Sequence, residues 1–410
     1  MTTDLRVLRT DEWDRWFESM LLAFGRTGEG EGEERRSFWQ AVIDPERAVG
    51  LWDGEECVGA TAMHAFRMTV PGGSLVSTGG FGMVSVATTH RRRGLLRAMM
   101  RYQLDRLRKW NEPLAVVTAT EPGIYGRFGF GPAVEELWFD IDSSRVRVAE
   151  VAGEDALVLR RARPEDSVVR ELCERLYAED VPRRPGMLER MPGWERLPFL
   201  DDPRQRPGRS SLQCVMASRD GEPVGFVTYR IEPRPGANGI VHLSALHAAD
   251  PAAHAALWRL LFDVDLTSTV HAHGRPVDDP LQYLVSDVRR SNMQLRDALY
   301  LRLVDVGAAL AARTYRAPVD VVLDVSDAFC PWNERRWLLR GDRQGATCVR
   351  TERPADLAMT ARDLATVYLG GVQMAALARV GRVRELTAGT LDATSLAFGS
   401  DAAPWLPHGF

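Results

Sequence analysis

Met83-Val-Ser-Val-Ala-Thr-Thr-His-Arg-Arg-Arg-Gly-Leu-Leu96 is the stretch on which the fold turns. Its opening residues read as an apolar strand. After Gly94, the residues Leu95, Leu96, Met99, Met100, Leu104 and Leu107 recur at helical spacing and form a stripe suited to burial. A strand therefore runs straight into a helix start. The first N–H groups of a helix have no intrahelical acceptor and carry the positive end of its dipole, so a pyrophosphate can sit there. Gly94 lets the backbone approach such a group because it has no Cβ, and Arg91, Arg92 and Arg93 add positive charge beside it. The competing reading of an arginine-rich helix start is a solvated face.

At 410 residues the chain exceeds what one hydrophobic core supports, and two or three domains are expected. A content of 45% hydrophobic and 26% charged residues describes an ordinary globular protein. The net charge of −4 gives no general attraction to nucleic acid or to an anionic membrane, so neither is expected as a partner. Cys57, Cys173, Cys214, Cys330 and Cys348 are odd in number and have no paired spacing suited to zinc. Reduced thiols and no metal site are the expectation. With no leader pattern at the start and no apolar run of about 20 residues, the chain reads as cytoplasmic.

Around the central stretch the elements fall in a recognisable order. Residues 5–8 suggest a short strand, and Thr10-Asp-Glu-Trp13 opens a helix whose one face carries Trp13, Phe17, Met20, Leu21 and Phe24. Residues 28–34, Gly-Glu-Gly-Glu-Gly-Glu-Glu, predict a mobile acidic loop: either a solvated connector or the cation-attracting mouth of a pocket walled by Phe38 and Trp39. A hairpin follows, turning at Asp53-Gly54. Beyond the central helix come an apolar strand over 113–120 and the run Gly123-Ile-Tyr-Gly-Arg-Phe-Gly-Phe-Gly131, with the first unit closing near Asp142. A new helix is predicted over 162–179. Asp220-Gly-Glu-Pro-Val-Gly225 then echoes Asp53-Gly-Glu-Glu-Cys-Val-Gly59, which suggests an internal duplication. In this second copy Asp250-Pro-Ala-Ala-His replaces the arginine-glycine loop, so it is not expected to hold the same ligand. Short strands and helices fill residues 299–398.

Val84-x-Val86, four residues and then Arg91-Arg92-x-Gly94-Leu95 fit the pattern with which the Gcn5-related N-acetyltransferases (GNAT) hold acetyl-CoA. The whole arrangement resembles the enhanced intracellular survival (Eis) family of actinobacterial acetyltransferases. That resemblance implies an α+β fold: a GNAT domain over 1–150, a second GNAT-like domain lacking the CoA loop over 151–297, and a sterol-carrier-protein-like domain over 298–410. It implies a bulge in the strand ending at Val86, which Gly79, Gly80 and Gly82 would permit. Acetyl-CoA contacts are implied at Val84, Ser85 and Val86, at Arg91, Arg92, Arg93, Gly94, Leu95 and Leu96, and at Thr120 and Glu121. Phe24, Trp39 and Met83 would line the acceptor pocket.

From its own surroundings Tyr125 reads equally as an acid for a departing thiolate or as an aromatic packed among Ile124, Phe128 and Phe130; the resemblance implies the acid. The resemblance also implies that Phe410, closing the run Pro404-Trp-Leu-Pro-His-Gly-Phe410, supplies its α-carboxylate as base. His408 is a second candidate base. The implied reaction is acetyl transfer to amines of a bulky cationic acceptor such as an aminoglycoside, by a homohexamer. The alternatives are a protein-lysine or polyamine acetyltransferase, and a non-catalytic acyl-CoA or lipid binder. Gly409 stands where family members carry a penultimate acid, which removes one anchor for a polycation.

Overall fold

The computed structural model describes residues 3–26 and 32–410. The first repeat comprises β1 (Asp4–Val7), α1 (Trp13–Ala23), α2 (Glu33–Val42), β2 (Ala48–Asp53), β3 (Glu56–Thr69), β4 (Leu75–Val86), α3 (Leu95–Lys109), β5 (Leu114–Val117), α4 (Pro122–Tyr125) and β6 (Gly131–Asp142). Residues 28–31 of the expected acidic loop lie outside the described residues, and Glu33 and Glu34 already belong to α2. The side chains of Met99, Met100, Leu104 and Leu107 are fully buried, so α3 lies flat on the sheet through the stripe its sequence announces. Met63 and Phe81 pack on the α3 side, while Ala62 and Phe66 join the core that holds α1, as strand alternation requires.

The second repeat runs through β7 (Leu157–Ala162), α5 (Ser167–Asp180), β8 (Leu188–Glu189), β9 (Gln213–Arg219), β10 (Glu222–Arg234), β11 (Ala237–Ala248), α6 (Pro251–Phe262), β12 (Thr267–Pro276), α7 (Leu281–Leu284) and β13 (Gln294–Leu303). The helix expected from residue 162 begins instead at Ser167. Residue 162 still belongs to β7, and Asp166 accepts a hydrogen bond from the Val168 N–H at 2.9 Å to cap the helix.

The two repeats share one sheet, ordered β1-β2-β3-β4-β5-β13-β6-β12-β11-β10-β9-β7, with β8 beside β3. β13, the last strand of the second repeat, is inserted between β5 and β6 of the first; β6 in turn closes the second repeat against β12. Each repeat thus completes itself with a strand from the other. The boundary expected after residue 297 consequently falls inside β13, which ends at Leu303.

The third unit is a five-stranded sheet, β16-β15-β14-β17-β18, with its helices. In chain order these are α8 (Val306–Ala311), β14 (Val319–Ser326), β15 (Arg335–Gly341), β16 (Ala346–Arg350), β17 (Leu357–Thr360), α9 (Ala361–Val367), α10 (Met374–Arg379), β18 (Val383–Glu385) and α11 (Thr390–Phe398). Among the described residues no helix is long and apolar enough to cross a membrane.

Candidate active site

β4 and β5 pair in parallel from Thr78↔Leu114 to Phe81↔Val117 and then part. Just beyond, β4 carries one residue more than β3 between Gly82 and Ser85. The bulge that the glycines were expected to permit is therefore centred on Met83, which adopts a left-handed φ of 56°. Past it, Ala87 N–H bonds Val58 O at 2.8 Å, which fixes the alternation of the β3–β4 ladder. That alternation turns the N–H groups of Val84 and Val86 away from β3, toward the opening that β5 has left.

The loop into α3 turns twice through left-handed conformations, at Arg92 (φ 63°) and Gly94 (φ 80°). His90 anchors its base, with Nε2 3.2 Å from Asp53 and Nδ1 2.8 Å from the Thr89 hydroxyl. Arg93 folds back to donate to the Thr89 carbonyl at 3.0 Å. Arg91 and Arg92 are exposed and make no ion pair among the described residues. No side chain caps α3, and a Cβ on Gly94 would meet nothing within 4 Å. Free first-turn amides, two uncommitted guanidiniums and open space above the glycine fit a pyrophosphate. Leu95 and Leu96 are half-buried at the helix start, and Thr120 and Glu121 are exposed on the rim that follows β5.

Tyr125 closes α4 on the α3 side of the sheet, edge-on to Phe130 at 5.9 Å, and Phe130 is in turn edge-on to Phe81 at 5.8 Å. Burial, with Glu121 adding to it, pushes the Tyr125 phenol up to about 12. Phe410 lies on the opposite face. A Cβ built on Gly80 would stand 3.1 Å from its ring, and one on Gly82 would stand 3.7 Å from its carbonyl carbon. Tyr125 and Phe410 thus flank β4 from its two sides at the point where β5 diverges.

The tail reaches this position through contacts with the second repeat. Trp405 N–H donates to Pro185 O at 2.9 Å and its indole N–H to Gly274 O at 2.8 Å. Ala403 N–H donates to Asp278 at 2.9 Å. His408 sits with Nε2 3.1 Å from the Tyr177 hydroxyl, and burial pulls its imidazole down to about 3. That placement makes His408 a clamp on the tail.

Around the Phe410 ring lies an aromatic cluster. Phe66 is 5.1 Å away, and His64 stands 4.9 Å from Trp194, 5.6 Å from Phe66 and 6.1 Å from Trp39. His64 Nε2 is buried with no hydrogen-bond partner among the described residues, and burial draws the ring down to about 3. Of the expected pocket residues, Trp39 belongs to this cluster and Met83 packs against the same core. Phe24, 44% exposed at the end of α1, makes no ring contact there among the described residues. Sequence reasoning missed His64, Phe66 and Trp194. Trp194 opens a short 3-10 helix over Trp194–Phe199, and nothing local ties it to β4.

In the second repeat the helix start is already satisfied: Asp250 accepts from Ala253 N–H at 2.9 Å and pairs with Arg219 at 2.6 Å. No free anion-binding turn remains there.

Comparison with known proteins agrees with this architecture. The acetyltransferase (GNAT) domain families match residues 4–133 and 186–303, and the sterol carrier protein domain family matches residues 306–407. An uncharacterized N-acetyltransferase of Streptomyces avermitilis is 56% identical over 413 residues, covering 100% of both chains. N-acetyltransferase Eis of Mycobacterium tuberculosis is 33% identical over 413 residues, covering 98% of each chain. The crystal structure of Eis1 from Mycobacterium abscessus superposes with a TM-score of 0.83 at 29% identity over 100% of both chains. GNAT architecture implies acetyl-CoA as cosubstrate, and the chain belongs to the Eis family of N-acetyltransferases.

Proposed function

We propose that this enzyme transfers acetyl from acetyl-CoA directly to an amine of a bulky cationic acceptor, an aminoglycoside being the first to test. In this reading the pyrophosphate rests on the first turn of α3 with Arg91 and Arg92, and the pantetheine arm enters between β4 and β5. The N–H groups of Val84 and Val86 meet its amides and the thioester carbonyl, where they stabilise the charge that develops on oxygen. The α-carboxylate of Phe410 faces the amine, takes its proton directly or through water, and leaves the nitrogen lone pair free to attack. The N–C bond forms, the C–S bond breaks, and the second proton of the attacking nitrogen is shed to water. Tyr125, held protonated by burial, donates its hydrogen to the departing sulfur.

The observation that carries this reading is the placement of Tyr125 and Phe410 on opposite faces of β4 at its divergence from β5. An acid for the leaving group and a base for the nucleophile belong on opposite sides of the carbon under attack. The aromatic cluster of Trp39, Phe66 and Trp194 beside a carboxylate suits an ammonium group. Assembly as a homohexamer extends the same family likeness.

Thiol release from acetyl-CoA tests the proposal, measured with an aminoglycoside panel, polyamines and a lysine peptide, on wild type, on Tyr125→Phe and on a chain with one residue appended after Phe410. Each change is expected to lower kcat by about 10²-fold or more while leaving acetyl-CoA binding intact. Turnover undiminished by the appended residue removes the carboxylate from the mechanism. Acetyl-CoA binding without turnover on any amine makes the protein a carrier or sensor.

A further inference from the structure

The second repeat keeps the splayed cleft of the first but lines it differently. β11 and β12 pair in parallel from Gly239↔Thr267 to His242↔His271, and β11 then carries one extra residue, Ser244, relative to β10. This repeats the first module step for step, with His242 where Phe81 stands, His271 where Val117 stands, and Ser244 in place of the Met83 bulge. A cleft of about 230 Å³ opens there, lined by Arg209, Arg230, His242, Ser244, His271 and His273.

Across the seam between the repeats, His271 lies directly opposite Asp140 of β6. Two residues on, β12 bulges against β6 at His273 and Gly274, where Gly274 takes a φ of 71°. A bulge re-aims its side chain, and His273 Nε2 arrives 3.3 Å from the same Asp140 oxygen that His271 Nε2 approaches at 3.4 Å. Trp138 stacks on the His273 ring at 3.9 Å and holds its plane, and Arg296 covers the other face of Trp138 at 3.7 Å.

These separations are long for charge-assisted hydrogen bonds, which run about 2.7–2.9 Å. They match two edges of a tetrahedron whose centre lies about 2.0–2.1 Å from each ligand atom, an edge of roughly 3.3–3.4 Å, and the three ligand atoms all lie within 4.8 Å of one another. We infer that Asp140, His271 and His273 form a binding site for a divalent transition metal of the zinc class, tying β12 of the second repeat to β6 of the first. Two imidazoles and one carboxylate leave at least one position for water and suit zinc, cobalt or nickel rather than calcium or magnesium. The nearby cations are already committed: Arg230 pairs with Asp201 at 3.0 Å and Arg209 with Glu232 at 3.6 Å. His242 is held by Glu232 at 2.8 Å, on the strand next to His271. The cysteine spacing gave no hint of such a site, because its ligands come from two strands about 130 residues apart that only the exchange of strands makes neighbours.

The test uses the full chain stripped with chelator and titrated with zinc or cobalt chloride. Stoichiometry is read by native mass spectrometry, ligation by the visible ligand-field spectrum of cobalt, and the staple by the shift in Tm. One ion per chain and a raised Tm are expected. Asp140→Asn and His273→Ala should each weaken uptake by at least the ~10–100-fold that loss of an outer partner costs. Circular dichroism of both variants checks that they remain folded. No uptake by the wild type, or uptake undiminished in both folded variants, overturns the inference. Neither result bears on the acetyl-transfer proposal, which uses none of these residues.

Discussion

The carbonyl carbon of Phe410 lies 3.7 Å from the position a Cβ would take on Gly82. The same Cβ would stand 3.1 Å from His64 Nε2, so the missing side chain is the room in which the chain end, the histidine and β4 converge. Gly82 pairs with Ala62 in the β3–β4 ladder, and an alanine there needs no unusual φ. Gly82→Ala therefore places a methyl group in the path proposed for the acceptor with little strain on the strand. A kcat loss of about 10-fold to 10²-fold is expected, in keeping with displacement of a reacting group by a fraction of an ångström, with the KM for acetyl-CoA unchanged. Steady-state kinetics with acetyl-CoA varied at saturating amine measures both. An unaltered kcat means that the acceptor does not pass this way.

Arg92 is asked to do two opposed things. Its φ of 63° is a conformation that costs a side-chain-bearing residue roughly 1–2 kcal/mol, while its guanidinium is free to meet an anion. Arg92→Gly relieves the strain but adds about 0.5–1 kcal/mol of chain entropy to the unfolded state, so stability should stay level or rise by up to about 1.5 kcal/mol. The KM for acetyl-CoA should rise by about tenfold with kcat unchanged, as befits the loss of one charge-assisted phosphate contact on an open surface. Thermal unfolding and steady-state kinetics on the same preparation read the two effects. A tighter KM would show that the phosphates lie elsewhere.

These residues also show where local sequence stops informing. The arginine-glycine loop was legible because strand, turn and helix stripe are contiguous. The echo of the Asp53-Gly54 hairpin at Asp220-Gly221 was legible because a turn is a local device. The insertion of β13 between β5 and β6 was not, since a strand whose second half alone is largely apolar fits many partners until the sheet is assembled. Nor was the position of the bulge. Three glycines invite it, yet it falls on Met83, where the parting of β4 from β5 sets the geometry. Trp194 enters from a short 3-10 helix far along the chain, and His64 reads as one more polar residue on an alternating strand.

His64 gives the protein an acid sensitivity with a definite sign. Unfolded, its imidazole takes a proton near pH 6.5; folded, burial holds it down to about 3. Between these values the unfolded state binds the extra proton, so stability falls as pH falls, by about 1.4 kcal/mol for each pH unit below 6.5. His64→Phe keeps a ring between Phe66 and Trp194 and removes that linkage. Unfolding free energies from urea melts at pH 7 and pH 5 should therefore differ less in the variant, by about 2 kcal/mol, than in the wild type. Parallel pH profiles for the two proteins would mean that His64 titrates normally in the folded state.

Asp327 holds the third unit against α3. It forms a fully buried pair with Arg302 of β13 and accepts from Cys330 N–H at 2.9 Å and Asn333 Nδ2 at 3.1 Å. The turn so fixed presents Phe329 beneath Arg101 and Arg97 of α3, at 4.1 and 5.1 Å. Asp327→Ala strands a guanidinium with no exposed surface and should cost about 3–5 kcal/mol. Adding Arg302→Met removes the orphaned charge and should restore much of that loss, because the penalty lies in the unpaired ion more than in the missing bond. The brace on α3 is not rebuilt, however, since the Phe329 and Cys330 amides still lack their acceptor. The double variant should be closer to wild type in urea midpoint while its KM for acetyl-CoA remains raised several-fold. A double variant no more stable than Asp327→Ala would place the energy in the turn itself rather than in the ion pair.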